Sequence, residues 1–190
     1  MKILTFILLH IEESADTLML KNIPSDLPFH PMFVHAPIVL TFLIPIIALL
    51  LMIKFRNNQE FNYWNFILIL NILLVVSTYF ALFTGDIEHE LLEHSPYLKQ
   101  AIEQHEKFAE SFFVLSIFIL AISFLGHTKF SFYKIMRILT LIVYFFIAIP
   151  IVIYTAHLGG KIVYELDAPY FRKVIIKEYQ EQQKQKKEVK

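Results

Sequence analysis

Cysteine is absent from this 190-residue chain, which excludes disulfides, cysteine-ligated iron–sulfur clusters, covalently attached c-type haem and thiolate zinc sites. Charge is scarce as well. Only 18% of the residues are charged, and 17 basic side chains balance 17 acidic ones, so there is no bulk positive charge to attract nucleic acid. No nucleophile triad, phosphate-binding loop or zincin motif is present. An enzyme is therefore the least favoured interpretation.

Apolar residues are what the chain has in excess. They make up 56% of the sequence, and the mean hydropathy is +0.55, unlike an ordinary soluble domain. Four apolar runs, at residues 33–53, 64–83, 108–125 and 138–156, are close to the ~20 residues that a helix needs to cross the hydrocarbon layer. A soluble bundle would show polar stripes at helical spacing, and these runs show almost none. The predicted fold class is all-α, a transmembrane four-helix bundle built from two helical hairpins.

The runs and their connections divide the chain into three parts. We predict an N-terminal interfacial segment at residues 1–29, a four-helix membrane domain at 30–165 and a polar C-terminal tail at 166–190. The first and third connections are short and basic, whereas the middle one, residues 84–107, is longer and acidic. Positive-inside counting then predicts a multi-pass membrane protein with both termini outside the cytoplasm.

Most of the eight histidines map to one face of this predicted bundle. The first and third helices begin at the face where the second and fourth end. The histidines near those four ends are His30, His35, His89, His94, His105 and His157. Polar groups at membrane depth usually face inward and act, and neutral imidazole is the commonest metal ligand. This face is therefore a candidate cofactor site, although the histidines could also cap helices and bind the acidic connection.

Two kinds of centre are compatible with the histidines. A b-type haem needs two axial imidazoles and apolar walls, and the leading candidate ligands are His35, His105 and His157. A bare zinc, iron or manganese ion would take mixed imidazole and carboxylate ligands. The candidates for such an ion are His30, His35, Asp86, His89, His105 and His157. Asp86 and His89 have a spacing that puts both side chains on one helix face.

The end of the fourth run and a faint repeat add further candidates. Gly159 and Gly160 are predicted to stop the last helix, because glycine tolerates positive φ, and to let a cofactor approach bare backbone. Tyr164 is a candidate partner for haem propionates. Each hairpin also opens with a histidine, His35 or His105, and closes with threonine and glycine.

The motifs at these positions resemble a known family. Residues 30–38 read His-Pro-Met-Phe-Val-His-Ala-Pro-Ile, similar to the His-Pro-x-x-Val-His-x-Pro-Ile signature of small bacterial four-helix membrane proteins of the domain of unknown function 2231 type. A Thr-Gly-Asp turn at 84–86, a histidine at 105 and a His-Leu-Gly-Gly-x-x-Val-Tyr run at 157–164 follow in the family's order. The family's marks fall on His30, His35, Asp86, His105, His157, Gly159, Gly160 and Tyr164. The segment 165–169 departs from the family pattern.

Some members of that family look like fusions to Rieske or cytochrome c modules, which implies an electron-transfer setting and a cytochrome or Rieske partner. Two functions therefore stay open. The first is a membrane protein that binds haem b or a metal at an extracytoplasmic histidine cluster and serves electron transfer. The second is a non-redox membrane protein whose histidine and carboxylate cluster binds a metal ion or is purely structural.

Overall fold

The computed structural model describes residues 29–55, 63–92, 96–128 and 131–168, with the backbone alone at residues 29, 87–92, 96 and 97. These residues form four long helices. They are α1 (Phe29–Lys54), α2 (Trp64–Leu92), α3 (Pro96–His127) and α4 (Tyr133–Tyr164). Apart from residue 29, the predicted interfacial segment lies outside the described residues, as does the predicted tail beyond residue 168.

The helices pack in chain order, α1 on α2, α2 on α3 and α3 on α4, and contacts between α1 and α4 close the bundle. Its core contains fully buried apolar side chains such as Ile44, Ile67 and Ile119. The outward faces are apolar too, with large exposed side chains such as Leu50 and Phe118. So much exposed apolar surface is unfavourable in water and is what lipid covers.

Each helix contains a stretch that is long and apolar enough to span a membrane. These stretches are His30–Lys54, Trp64–Asp86, Leu98–His127 and Tyr133–Tyr164. The predicted all-α transmembrane fold is confirmed. The helices are longer than the apolar runs, because a run marks only the part of a helix inside the hydrocarbon. The connection predicted over 84–107 is accordingly helical at 84–92 and 96–107.

The prediction that Gly159 and Gly160 stop the last helix is wrong. All four glycines lie in the described ranges, and none of them has a positive φ. The helix continues to Tyr164, and the chain reaches a left-handed conformation at Asp167, where φ is 51°. Helical backbone hydrogen bonding continues through both glycines. Gly159 therefore does not act as a helix stop, and its role is sought in the side chains that pack against it.

The two hairpins bury equivalent positions, which supports the internal repeat. Thr41 and Ile44 of α1 are fully buried, and so are Ser116 and Ile119 of α3, 75 residues later. The buried face of α2 passes through Ile67, Asn71, Leu74 and Thr78. The buried face of α4 passes through Thr140, Tyr144, Ala148 and Val152. The two series have the same spacing except at one step. Asn71 and Leu74 are three residues apart, whereas the matching residues of α4, Tyr144 and Ala148, are four residues apart, so α4 has one extra residue there.

That extra residue lies in a π-helical turn, Tyr144–Ala148. In a regular α-helix a four-residue step turns about 400°, so three such steps would carry the buried face about 120° around the axis. The π turn takes up one residue and keeps the face directed at the core. Pro150 lies two residues after the π turn and supplies no backbone N–H, which makes a regular hydrogen-bond ladder harder to maintain here.

Candidate metal-binding site

Two imidazoles meet where the first and third helices begin. His30 lies in the first turn of α1 and His105 in the third turn of α3, and both side chains are partly buried. Their ring centroids are 6.2 Å apart, and the ring planes are nearly perpendicular, at 81°. We call His30 and His105 the histidine pair.

A backbone carbonyl fixes the tautomer of His30. Its Nδ1 lies 3.0 Å from the carbonyl oxygen of Ala81 and 3.3 Å from Oγ1 of Thr84, both in α2. A carbonyl oxygen can only accept, so Nδ1 carries the hydrogen and donates it. In the neutral ring Nε2 then holds a lone pair.

His105 repeats this arrangement in the second hairpin. Its Nδ1 lies 3.0 Å from the carbonyl oxygen of Thr155 in α4, so it too donates to backbone and leaves the lone pair on Nε2. Within the described side chains, the hydrogen bonds of the histidine pair all involve Nδ1. A histidine that donates from one nitrogen to a carbonyl and offers the other to a metal is the usual arrangement at metal sites.

Each ring lies against a glycine of the neighbouring helix. A Cβ added at Gly85 would be 3.2 Å from Cε1 of His30, and one added at Gly159 would be 3.2 Å from Cε1 of His105. Gly160 differs, because an added Cβ there would meet nothing within 4 Å. Gly85 and Gly159 thus serve close approach of an imidazole to helix backbone, which a larger residue would hinder.

The equivalence of the hairpins extends to the surroundings of the pair. His105 follows His30 by 75 residues, and Gly159 follows Gly85 by 74. Aromatic contacts occupy matching positions as well. Phe33 stacks on Phe80 with centroids 6.1 Å apart, and Phe108 meets Tyr154 edge to face at 4.7 Å. These contacts place apolar rings one helical turn from each histidine.

The structure pairs His30, rather than His35, with His105. His35 is exposed, and its Nδ1 donates to the carbonyl oxygen of Pro31 in its own helix. His157 is also exposed. Neither shares a hydrogen bond or ring contact with the histidine pair in the described part of the chain. In the sequence, His30 precedes His105 by 75 residues, the same offset that relates the buried positions of α1 to those of α3, and this offset would have identified His30.

The remaining predicted site residues are more scattered. Asp86 and Tyr164 are exposed, and Tyr164 is 88% accessible. The side chain of His89 and the whole of His94 lie outside the described residues. Among the side chains that are described, no group of three or more histidines, aspartates and glutamates is placed to hold a metal ion. The predicted three-histidine haem set and six-residue metal set stay predictions.

A second polar cluster lies deeper in the bundle. Tyr144 donates to Oδ1 of Asn71 at 2.6 Å, and Asn71 donates to the carbonyl oxygen of Ile67 at 2.8 Å. Trp64 donates from Nε1 to the carbonyl oxygen of Ser123 at 2.8 Å. These bonds join α2 to α3 and α4. In the described part of the chain every buried side-chain nitrogen and oxygen has a partner, so this cluster serves packing.

Arg137 occupies the opposite end of the bundle from the histidine pair. Its Nε donates to the carbonyl oxygen of Gly126 at 2.9 Å, and one terminal nitrogen donates to the Tyr63 hydroxyl at 3.1 Å. The guanidinium also lies about 5 Å from the ring centres of Tyr63, Trp64 and Tyr133. The side chain thereby fastens the start of α4 to α2 and α3.

The chain matches a family model. A family model described as "Predicted membrane protein (DUF2231)" matches residues 26–168, which include all four helices and the histidine pair. Neither the curated proteins nor the solved structures contain a match to the chain.

Proposed function

The chain belongs to the DUF2231 family of predicted membrane proteins, and from that premise we propose that it binds a metal centre, haem b or a metal ion, through the histidine pair and serves electron transfer. The site would lie on the extracytoplasmic side of the bacterial inner membrane. A cytochrome or Rieske protein is the proposed redox partner, as the family resemblance of the sequence implies.

One observation carries this proposal: two equivalent imidazoles, each with its tautomer set by a carbonyl, stand 6.2 Å apart. With metal–nitrogen bonds of about 2 Å and a ring centre about 1.1 Å behind each nitrogen, two imidazoles on opposite sides of one metal have ring centres about 6 Å apart. The pair therefore already has a spacing suited to sharing one metal.

The two histidines suit a metal centre that needs only two ligands from the protein. Haem b would be held by His30 and His105 and would supply one-electron chemistry. The aromatic contacts of Phe33 with Phe80 and of Phe108 with Tyr154 would give such a group apolar neighbours. A zinc, iron or manganese ion would need further ligands, for which the predicted candidates are His35, Asp86, His89 and His157.

The test is the absorption spectrum and metal content of the purified full-length protein. A Soret band that shifts on dithionite reduction supports haem, and a colourless preparation with one metal per chain supports an ion. We expect His30→Ala and His105→Ala to remove the centre. The exposed His35→Ala and His157→Ala are matched controls and should keep it.

The alternative results are decisive. A wild-type protein without haem or stoichiometric metal, even after reconstitution with haemin or metal salts, would overturn the proposal and leave the pair as a structural bridge between helices. Loss of the centre in the His35 or His157 variant alone would move the ligands to the set predicted from the sequence.

A further inference from the structure

We infer that the histidine pair is a two-coordinate site for monovalent copper. This inference rests on that part of the proposed function which makes the pair a metal site, and it does not depend on electron transfer. The histidine pair offers two neutral imidazole nitrogens, and among the described histidines, aspartates and glutamates no third one is placed to join them. The question is which bare ion accepts such a set.

Coordination number separates the candidate ions. Zinc is almost always four-coordinate in proteins, and manganese and iron ions take still larger, oxygen-rich sets. Monovalent copper has a filled d shell and readily takes two nitrogen ligands in a line. The 6.2 Å separation of the ring centroids lies at the long end of the range expected for two imidazoles that share one metal in a line.

Charge favours the same ion. Both histidines lie within the ends of apolar spans, where a charged group is costly to hold. The cost of transferring an ion from water into a medium of low dielectric constant rises with the square of its charge, so a divalent ion is penalised about four times as heavily as a monovalent one. The imidazoles are neutral donors, so they can stabilise a single positive charge without adding another.

The carbonyl contacts prepare the pair for this role. The Nδ1 atoms are held at 3.0 Å by Ala81 and Thr155, so each Nε2 lies on the far side of its ring from the hydrogen-bonded carbonyl. No ligand has to lose a proton before binding, and the rings are held against Gly85 and Gly159. Two imidazole rings that are already held in place bind an ion with little ordering cost.

The experiment titrates the full-length protein in detergent with Cu(I), kept reduced by ascorbate, against a chromophoric Cu(I) chelator. We expect one Cu(I) per chain, with an X-ray absorption edge typical of linear two-coordinate copper. His30→Ala and His105→Ala should each weaken binding by more than about 100-fold, because each removes one of two ligands. His35→Ala and His157→Ala should bind as the wild type does.

Further arms keep the result interpretable if an alanine variant folds poorly. His105→Met supplies a soft thioether and should restore much of the Cu(I) affinity without restoring Zn(II) binding. In the wild type, Cu(I) should raise the thermal unfolding temperature more than equimolar Zn(II) does. Haemin is titrated in parallel.

Each adverse outcome has its own meaning. Haemin binding at the pair without Cu(I) binding would overturn the copper inference and leave the proposed function standing. Zn(II) binding as tight as Cu(I), or Cu(I) binding that survives loss of both histidines, would also overturn it. Binding of none of these would end both proposals.

Discussion

Replacing Gly159 with alanine puts a methyl group 3.2 Å from Cε1 of His105, whereas the same change at Gly160 puts the methyl in open space. Both residues lie in the last part of α4, so both substitutions improve helix propensity alike, by about 1 kcal/mol at most. Any difference between the variants therefore reports the contact with the imidazole.

The expected difference follows from crowding. The His105 ring has to move by a few tenths of an ångström to accept the methyl, and overpacking of this kind costs about 1–3 kcal/mol. We expect Gly160→Ala to be slightly more stable than the wild type, and Gly159→Ala to be less stable than Gly160→Ala by about 1–3 kcal/mol. The displaced ring also loses its alignment with the Thr155 carbonyl oxygen, which is now 3.0 Å from Nδ1.

The assay is thermal unfolding of the full-length variants in one detergent, followed by far-UV circular dichroism. At this chain length each kcal/mol shifts the midpoint by about 2–4 °C. Metal affinity, measured on the same samples, should fall about tenfold or more for Gly159→Ala alone. Equal midpoints and equal affinities for the two variants would show that the imidazole does not lie on Gly159. Gly85→Ala is an independent repeat of the test through His30.

Three further predictions concern the rest of the bundle. Tyr144→Phe removes the hydroxyl that donates a 2.6 Å hydrogen bond to Oδ1 of the buried Asn71. We therefore expect the free energy of unfolding to fall by about 1–2 kcal/mol. An unchanged thermal unfolding midpoint would contradict this. Deleting Phe146 should turn the π turn into α-helix and give α4 the same spacing of buried positions as α2, so that a cysteine at the buried position Leu158 stays protected from maleimide. Phe146→Ala keeps the residue count and should also leave that cysteine protected; maleimide reactivity at Leu158 in the deletion variant would refute the register argument. Arg137→Lys loses the contacts of the guanidinium with three aromatic rings, and we expect the free energy of unfolding to fall by about 1 kcal/mol. Thermal unfolding measures this change, and an unchanged midpoint would contradict the prediction.

The apolar runs predicted the four spans because burial in lipid depends on composition and length, which a sequence displays directly. They did not reveal where the helices end, as α2 and α3 show, because a helix keeps its hydrogen bonds after it leaves the hydrocarbon. Gly159 and Gly160 were misassigned for a related reason. A glycine pair after an apolar run has the same sequence pattern whether it stops a helix or admits a neighbouring ring.

The choice between His30 and His35 shows most clearly what could not be predicted from the sequence. Five residues along a helix turn the chain by about 500°, so the two side chains point about 140° apart. In an amphipathic helix the polar stripe would show which side faces inward. The first span is apolar all round, so no such stripe exists to orient it.

The sequence by itself determined four membrane crossings and, through their even number, which histidines share one end of the bundle. Only the tertiary structure decided which imidazoles turn toward each other, which carbonyls hold them and which glycines admit them. The reason is physical. Partition into lipid is a property of each segment alone, whereas the rotation of one helix against another is set by packing between side chains far apart in the chain.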